Sequence, residues 1–138
     1  MLVSFDSVHV GGHYTRPELA RLWGYKGHEA LCRGVVTPAG DNKIILFVTR
    51  EKRPEDVQYH DDLVGSVLLW EGPNNHVEDD RVINHRKAGD EVHVFFRVEH
   101  DDPFTYVGQM ALYCAQRLTT EPSRFVFQGA AVSANAAA

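Results

Sequence analysis

The sequence predicts an α+β protein: a small, strongly curved β-sheet or open pseudo-barrel carrying short helices near its N-terminus. Three observations predict it. Lys43 to Thr49 is an almost unbroken apolar, β-branched run, as expected of a central strand. Glu91 to Val98 is a second run of strand character between turn residues. Ahead of both lies a well-marked helix start at Thr15.

Taken in order, Met1 to Val10 alternates weakly and predicts a first strand, broken by Gly11-Gly12-His13. Thr15 then caps a helix. Pro17 suits its first turn, Glu18 completes a capping box, and Gly24 stops it. Leu19, Ala20, Leu22 and Trp23 give this helix an apolar face. A second short helix is expected from about His28 to Arg33, with Gly34 as its stop. The pair has the outline of a helix-turn-helix, but its second member is short and only mildly basic. A helical cap on a sheet is the better reading.

Asp41-Asn42 is turn chemistry before the central strand. Leu63 to Trp70 reads as the next strand, with Gly65 marking a bulge or a close backbone approach. Arg81 to Asn84 reads as a short strand or turn, and Ala88-Gly89-Asp90 as a turn. After Glu91 to Val98 come a turn at His100 to Pro103 and strands over Phe104–Tyr113 and Arg124–Phe127. Residues 1–128 are expected to form one domain, and 129–138 a disordered tail.

With 138 residues, 43% hydrophobic and 24% charged, the chain is an ordinary globular one, long enough to bury roughly 65–70% of its unfolded surface. No apolar run reaches the ~18 residues of a membrane span, and the start lacks a secretory signal, so a cytoplasmic protein without membrane partners is expected. Cys32 and Cys114 lie far apart and are expected to be small core residues. A net charge of −5 argues against a whole-surface nucleic-acid binder. It leaves room for a local basic patch, since Arg50, Lys52 and Arg53 bunch, as do Arg81, Arg86 and Lys87.

Little in the chain speaks for catalysis. The eight histidines make no His-Glu-x-x-His pair and no cluster with ligand spacing, so no metal and no cofactor is expected. The carboxylates at Asp61-Asp62, Glu78-Asp79-Asp80 and Asp101-Asp102 are sequence neighbours, which do not converge on one metal from a strand. A nuclease pattern of Glu-x-Lys fails at Arg53. There is no Gly-x-Ser-x-Gly elbow and no Gly-rich phosphate loop. A binding module rather than an enzyme is the expectation. Aromatic rings abound, and Trp70, Tyr59 and Tyr106 are candidates for more than core packing. A hollow walled by such rings, with one carboxylate at its edge, suits a planar base: the rings stack on its faces, and the carboxylate accepts from an exocyclic amine.

Several runs resemble a family. Tyr14-Thr15-Arg16, Glu18-Leu19-Ala20, Trp23-Gly24-Tyr25, Arg33-Gly34-Val35, Thr37-Pro38 and Asn42 to Thr49 carry the first half. Leu69-Trp70-Glu71-Gly72, Pro103-Phe104-Thr105-Tyr106 and Pro122-Ser123-Arg124-Phe125 carry the second. Over His13 to about Phe127 the chain resembles a prokaryotic domain of unknown function found at the C-terminal end of helicase–nuclease defence proteins. That domain is similar to the PUA-like superfamily of SRA, EVE and YTH readers. The resemblance implies a PUA-like, SRA-like pseudo-barrel that flips a modified base into an aromatic pocket. The implied ligand is double-stranded DNA, with 5-methylcytosine first among the modifications, in a restriction or defence context.

The residues here assigned to the pocket are Phe47, Thr49, Tyr59, Asp61, Trp70 and Tyr106. Arg33, Lys43, Arg50, Lys52 and Arg81 are assigned to phosphates. A nuclease or helicase module is the expected protein partner. The alternative is a regulatory interaction domain of such a module that reads no base, which the acidic charge favours.

Overall fold

A computed structural model describes residues 2–56 and 58–129. Its centre is one sheet in the order β2-β3-β6-β7-β8-β5-β4, built from β2 (Val35–Val36), β3 (Lys43–Glu51), β4 (Asp62–Val64), β5 (Val67–Glu71), β6 (Glu91–Glu99), β7 (Phe104–Gln116) and β8 (Arg124–Gly129). A two-residue strand, β1 (His13–Tyr14), pairs with the start of β7 off this path. β3 and β6 run parallel, from Lys43 opposite Glu91 to Glu51 opposite Glu99, and every other pairing is antiparallel.

The sheet curves because β7 changes partner along its length. Its first part pairs with β6 and its second with β8, and each ladder slips register once, between Val94 and Phe95 and between Leu112 and Cys114. Such slips bend a strand and increase its local twist. Gly108, at φ +114°, sits opposite Val94 beside the first slip, a backbone angle that side chains rarely adopt. The sheet stays open, and its edge strands are short, which limits the unpaired backbone offered to other chains. This is a small α+β fold on one open, curved sheet.

Both faces are covered, which explains the unbroken apolar run of β3. Ile44, Leu46 and Val48 face a core shared with Val92, Val94, Leu68, Trp70, Phe125 and Phe127. Ile45 and Phe47 point the other way, towards Phe95, Phe104 and Tyr106. That second face is sealed by α1 (Arg16–Leu22) through Leu19 and Ala20, by Trp23, and by Val3 and Val8 of the N-terminal segment. Thr15 caps α1 as expected: its hydroxyl accepts from the Glu18 N–H (3.3 Å).

The structure departs from the sequence expectations at five places. Residues 2–10 form no strand. They run as an irregular strap, held where Val3 N–H donates to Asp41 and where the Trp23 indole donates to the Ser4 carbonyl (2.8 Å). The helix expected from His28 shrinks to a single 3₁₀ turn, Glu29–Leu31, whose N-terminus has no side-chain cap. Leu63 to Trp70 is a hairpin rather than one strand, because Gly65 adopts φ +60° and turns the chain between β4 and β5. Asp79–Ile83 is a helix, α2, followed by α3 (His85–Ala88) and closed by Gly89 in the left-handed conformation. Both cysteines are exposed, on the 3₁₀ turn's exit and on the outlying half of β7. The expected tail lies outside the described residues, except that Gly129 ends β8.

Candidate functional site

The site forms at one end of the sheet, where the approach to β2 with the far half of β3, the segment after β3 that leads into β4, and the loop after β5 meet the start of α1 and the end of β6. Between them lies a cavity of about 610 Å³. That volume is within the range of small-ligand pockets, about 300–1,000 Å³.

On one wall, Phe47 is stacked on Phe95 (5.1 Å between centroids), so its ring is held by the core behind it. Thr49 follows on the same face of β3. Its hydroxyl accepts from Arg97 Nε (2.8 Å) and keeps its own proton to donate. The guanidinium of Arg16 lies 4.7 Å from the Phe47 centroid, and that of Arg97 lies 4.2 Å from the centroid of Phe104. These cation–π contacts let charged groups sit half-buried against apolar rings.

Trp70, Asp61 and Tyr59 also line the cavity. Trp70 is only 6% exposed and packs against Phe125 (5.3 Å) and Phe127 (6.1 Å). Its burial is thus shared between the core and the cavity lining. Asp61 is 9% exposed. One of its oxygens accepts from the Glu71 N–H (2.8 Å), and the other faces the ammonium of Lys52 (3.1 Å). Burial nevertheless wins, and pushes the Asp61 carboxyl above its usual range; the bond from Glu71 and the Lys52 charge pull the other way. Each carboxylate oxygen retains a further acceptor position. Tyr59 is half-buried, and its hydroxyl accepts from the Asn74 N–H (3.1 Å), which ties the segment before β4 to the loop after β5.

That loop is itself anchored. The Gly72 N–H donates to the Ser123 carbonyl (2.9 Å). Ser123 donates its hydroxyl to Asp79 (2.7 Å), and His76 contacts the same carboxylate oxygen (3.0 Å) with its own backbone at φ +60°. Gly72 has a steric reason to be glycine: a Cβ there would lie 2.9 Å from the Phe125 ring and 3.1 Å from Asp79.

Of the residues assigned to the pocket from sequence, Phe47, Thr49, Tyr59, Asp61 and Trp70 line this cavity. Tyr106 does not. It is buried in the cluster under α1, with its hydroxyl on His93 (2.7 Å), because its position in β7 faces the helical cap. Of the assigned cations, Arg33 and Lys52 line the cavity, although the charge of Lys52 is engaged by Asp61. Lys43 pairs with Asp41 and Glu91 (3.6 Å each), and Arg81 with Asp90 (3.2 Å). Arg50 pairs with Asp62 (3.6 Å) beside a shallower hollow that shares Tyr59 and Asp61. Sequence reasoning overlooked Arg16, Arg97, Arg53 and Asn75 as lining residues. Arg16 was hidden inside a helix-capping motif. In the sequence Arg97 is only one residue of the strand from Glu91 to Val98. Among the described residues no cluster of histidine, cysteine and carboxylate groups is arranged to hold a metal ion, and no helix is long and apolar enough to cross a membrane.

Comparison with known proteins gives a fold and no family. No protein-family model and no curated protein matches the chain. Among solved structures it is similar to the SUVH5 SRA in complex with fully methylated CG DNA, at 14% identity and TM-score 0.57, covering 94% of each chain. It is similar also to the SUVH5 SRA in complex with methylated CHH DNA, at 14% identity and TM-score 0.58, covering 94% of this chain and 93% of that one. At this identity the likeness shows the fold, which is SRA-like over nearly the whole chain. The helicase–nuclease resemblance has no matching family model behind it.

Proposed function

We propose that this protein binds double-stranded DNA carrying a modified base, 5-methylcytosine first, and holds that base swung out of the duplex in the cavity. One observation carries the reading: Trp70, Tyr59 and Phe47 meet the buried Asp61 carboxylate around a single hollow at one end of an SRA-like sheet. Rings supply stacking surfaces. Asp61 accepts from the exocyclic amine of cytosine, and Thr49 adds a hydroxyl at the same hollow. The solved SRA structures of the same fold that were matched are complexes with methylated DNA, which supports DNA as the ligand class.

Magnitudes set what to expect. Extruding a base costs a few kcal/mol, and stacking offsets about 1–3 kcal/mol per base. A methyl contact alone discriminates by about 1–3 kcal/mol. Preference for methylated over plain duplex is therefore modest, and affinity falls steeply with salt. The protein reads and does not cut; in a restriction or defence setting a nuclease or helicase module acts on what it finds. The test is a binding panel of duplexes carrying plain, methylated, hydroxymethylated and phosphorothioate sites at matched salt. Equal affinity for plain and methylated duplex removes the methyl reading.

A further inference from the structure

The charges around the cavity do not cancel evenly. Lys52 is engaged by Asp61 (3.1 Å), and Arg53 by Asp56 (2.9 Å). Glu71 has Arg124 within 4.0 Å. Arg16, Arg33 and Arg97 remain against the single carboxylate of Glu78, and among the described residues none of these four is in a salt bridge. Arg16 donates from Nε to the Leu31 carbonyl and from Nη2 to that of Arg33 (3.4 Å). Its Nη1 has no partner among the described residues. Arg97 donates to the Thr49 hydroxyl (2.8 Å) and the Asp102 carbonyl (3.3 Å), and meets the His100 ring. Arg33 is exposed at the mouth.

Arg16 and Arg97 are half-buried with hydrogen bonds to neutral groups alone, and only Arg97 feels nearby carboxylates, those of Asp101 and Asp102. Burial lowers the proton affinity of both, bringing Arg16 to about 10, and the neighbouring charge of Arg97 adds to the effect on Arg16. An anion beside them offsets the cost of that burial and meets the unused N–H groups of Arg16 Nη1, while the neutral partners of Arg97 leave its charge to be matched. The chain as a whole is acidic, at −5, so unpaired cations on the Arg16, Arg33 and Arg97 side of the cavity are a local feature.

We propose that Arg16 and Arg97, with Arg33 at the mouth, form an oxyanion subsite inside the cavity, filled by a phosphate or carboxylate group carried by the bound nucleotide. The subsite rests on the nucleotide-pocket reading above. The oxyanion has two sources, the phosphate of the extruded nucleotide or an anionic substituent on its base.

The experiment uses the full chain and three probes: 5-methyl-2′-deoxycytidine, its 5′-monophosphate, and 5-carboxy-2′-deoxycytidine. Arginine side-chain Nε–Hε signals are followed by NMR at millimolar probe. In the wild type the Arg16 and Arg97 signals shift with a charged probe, while that of Arg86 on α3 does not. The charged probe binds roughly tenfold more tightly than the neutral nucleoside, the scale of one charge-assisted hydrogen bond. R97Q and R33Q each reduce that gain. A gain with the monophosphate assigns the oxyanion to the backbone, and a gain with the carboxylated nucleoside assigns it to the base. Unmoved Arg16 and Arg97 signals, or equal binding of charged and neutral probes, overturn the subsite. The wild-type readouts hold even where R97Q fails to fold. A wild type that prefers methylated duplex yet binds charged and neutral probes alike loses only the subsite. One that prefers no modified duplex of the panel loses the reader itself.

Discussion

Two aromatic regions meet at Phe47, and they behave in opposite ways. Under α1, Phe5 and Tyr106 stack on His93, with Trp23 and Phe95 packed against Phe5. The His93 ring stacks on Phe5 at 3.7 Å and bonds to Tyr106 (2.7 Å) and Glu91 (2.9 Å). The neutral ring satisfies both bonds at once, Nε2 donating to the carboxylate and Nδ1 accepting from the phenol. Every polar group there is used. At the cavity, Phe47, Tyr59 and Trp70 surround Asp61, and the adjacent guanidiniums keep N–H groups in reserve. Aromatic and polar residues in proximity do not by themselves make a site. What separates the two regions is whether the polar groups are satisfied from within and whether a covering element closes the space.

The largest contrast is in stability. Phe95 is fully buried and touches Phe5, Trp23, Phe47 and Tyr106. Phe95→Ala should cost about 3–5 kcal/mol in denaturant unfolding. Tyr59→Ala removes a half-buried ring on a loop and should lower stability by less than about 1 kcal/mol. It should also weaken binding of modified duplex by about 1–3 kcal/mol. A Tyr59→Ala variant with wild-type DNA affinity, or one that unfolds, breaks the contrast.

Gly72 tests the frame of the cavity. Gly72→Ala sets a methyl against Phe125 and Asp79. Its expected cost is about 1–3 kcal/mol in a thermal melt, with duplex affinity lost as the loop shifts.

A smaller effect is the acid response of the closed region. Burial holds His93 and His85 below the ordinary imidazole value. As pH falls through about 6.5, the unfolded chain takes up protons before the folded one does, so stability declines on the acid side and levels off once the folded rings also protonate. His93→Gln should flatten part of that decline in unfolding curves measured across the window. An unchanged slope would show that His93 is not the group responsible.

The least perturbing check uses the exposed thiols. Native protein should react at both Cys32 and Cys114 with a thiol reagent. Bound duplex should slow Cys32, which lines the cavity, and leave Cys114 as it was.

How much of this was legible beforehand differs from element to element. The strands β3, β6, β7 and β8, the capped α1 and the curved α+β class followed from local pattern. The Leu63–Trp70 hairpin was missed because a glycine at φ +60° and one at a bulge look alike in a sequence. α2 was missed because five residues carry too little periodicity to show a face. For the cysteines, composition suggested burial and position decided otherwise.

The site divides along the same line. Local chemistry nominated Trp70, Tyr59, Asp61, Phe47 and Thr49, since rings beside a carboxylate are visible in the chain itself. It could not separate Tyr59 from Tyr106, or free cations from spent ones. Both distinctions depend on which residues distant in sequence lie across a few ångströms. Residue types and their periodicity therefore determined the strands and their apolar faces. Only the curvature of the sheet, imposed by the two register slips along β7, decided which side chains meet around an open hollow and which are sealed beneath the helix.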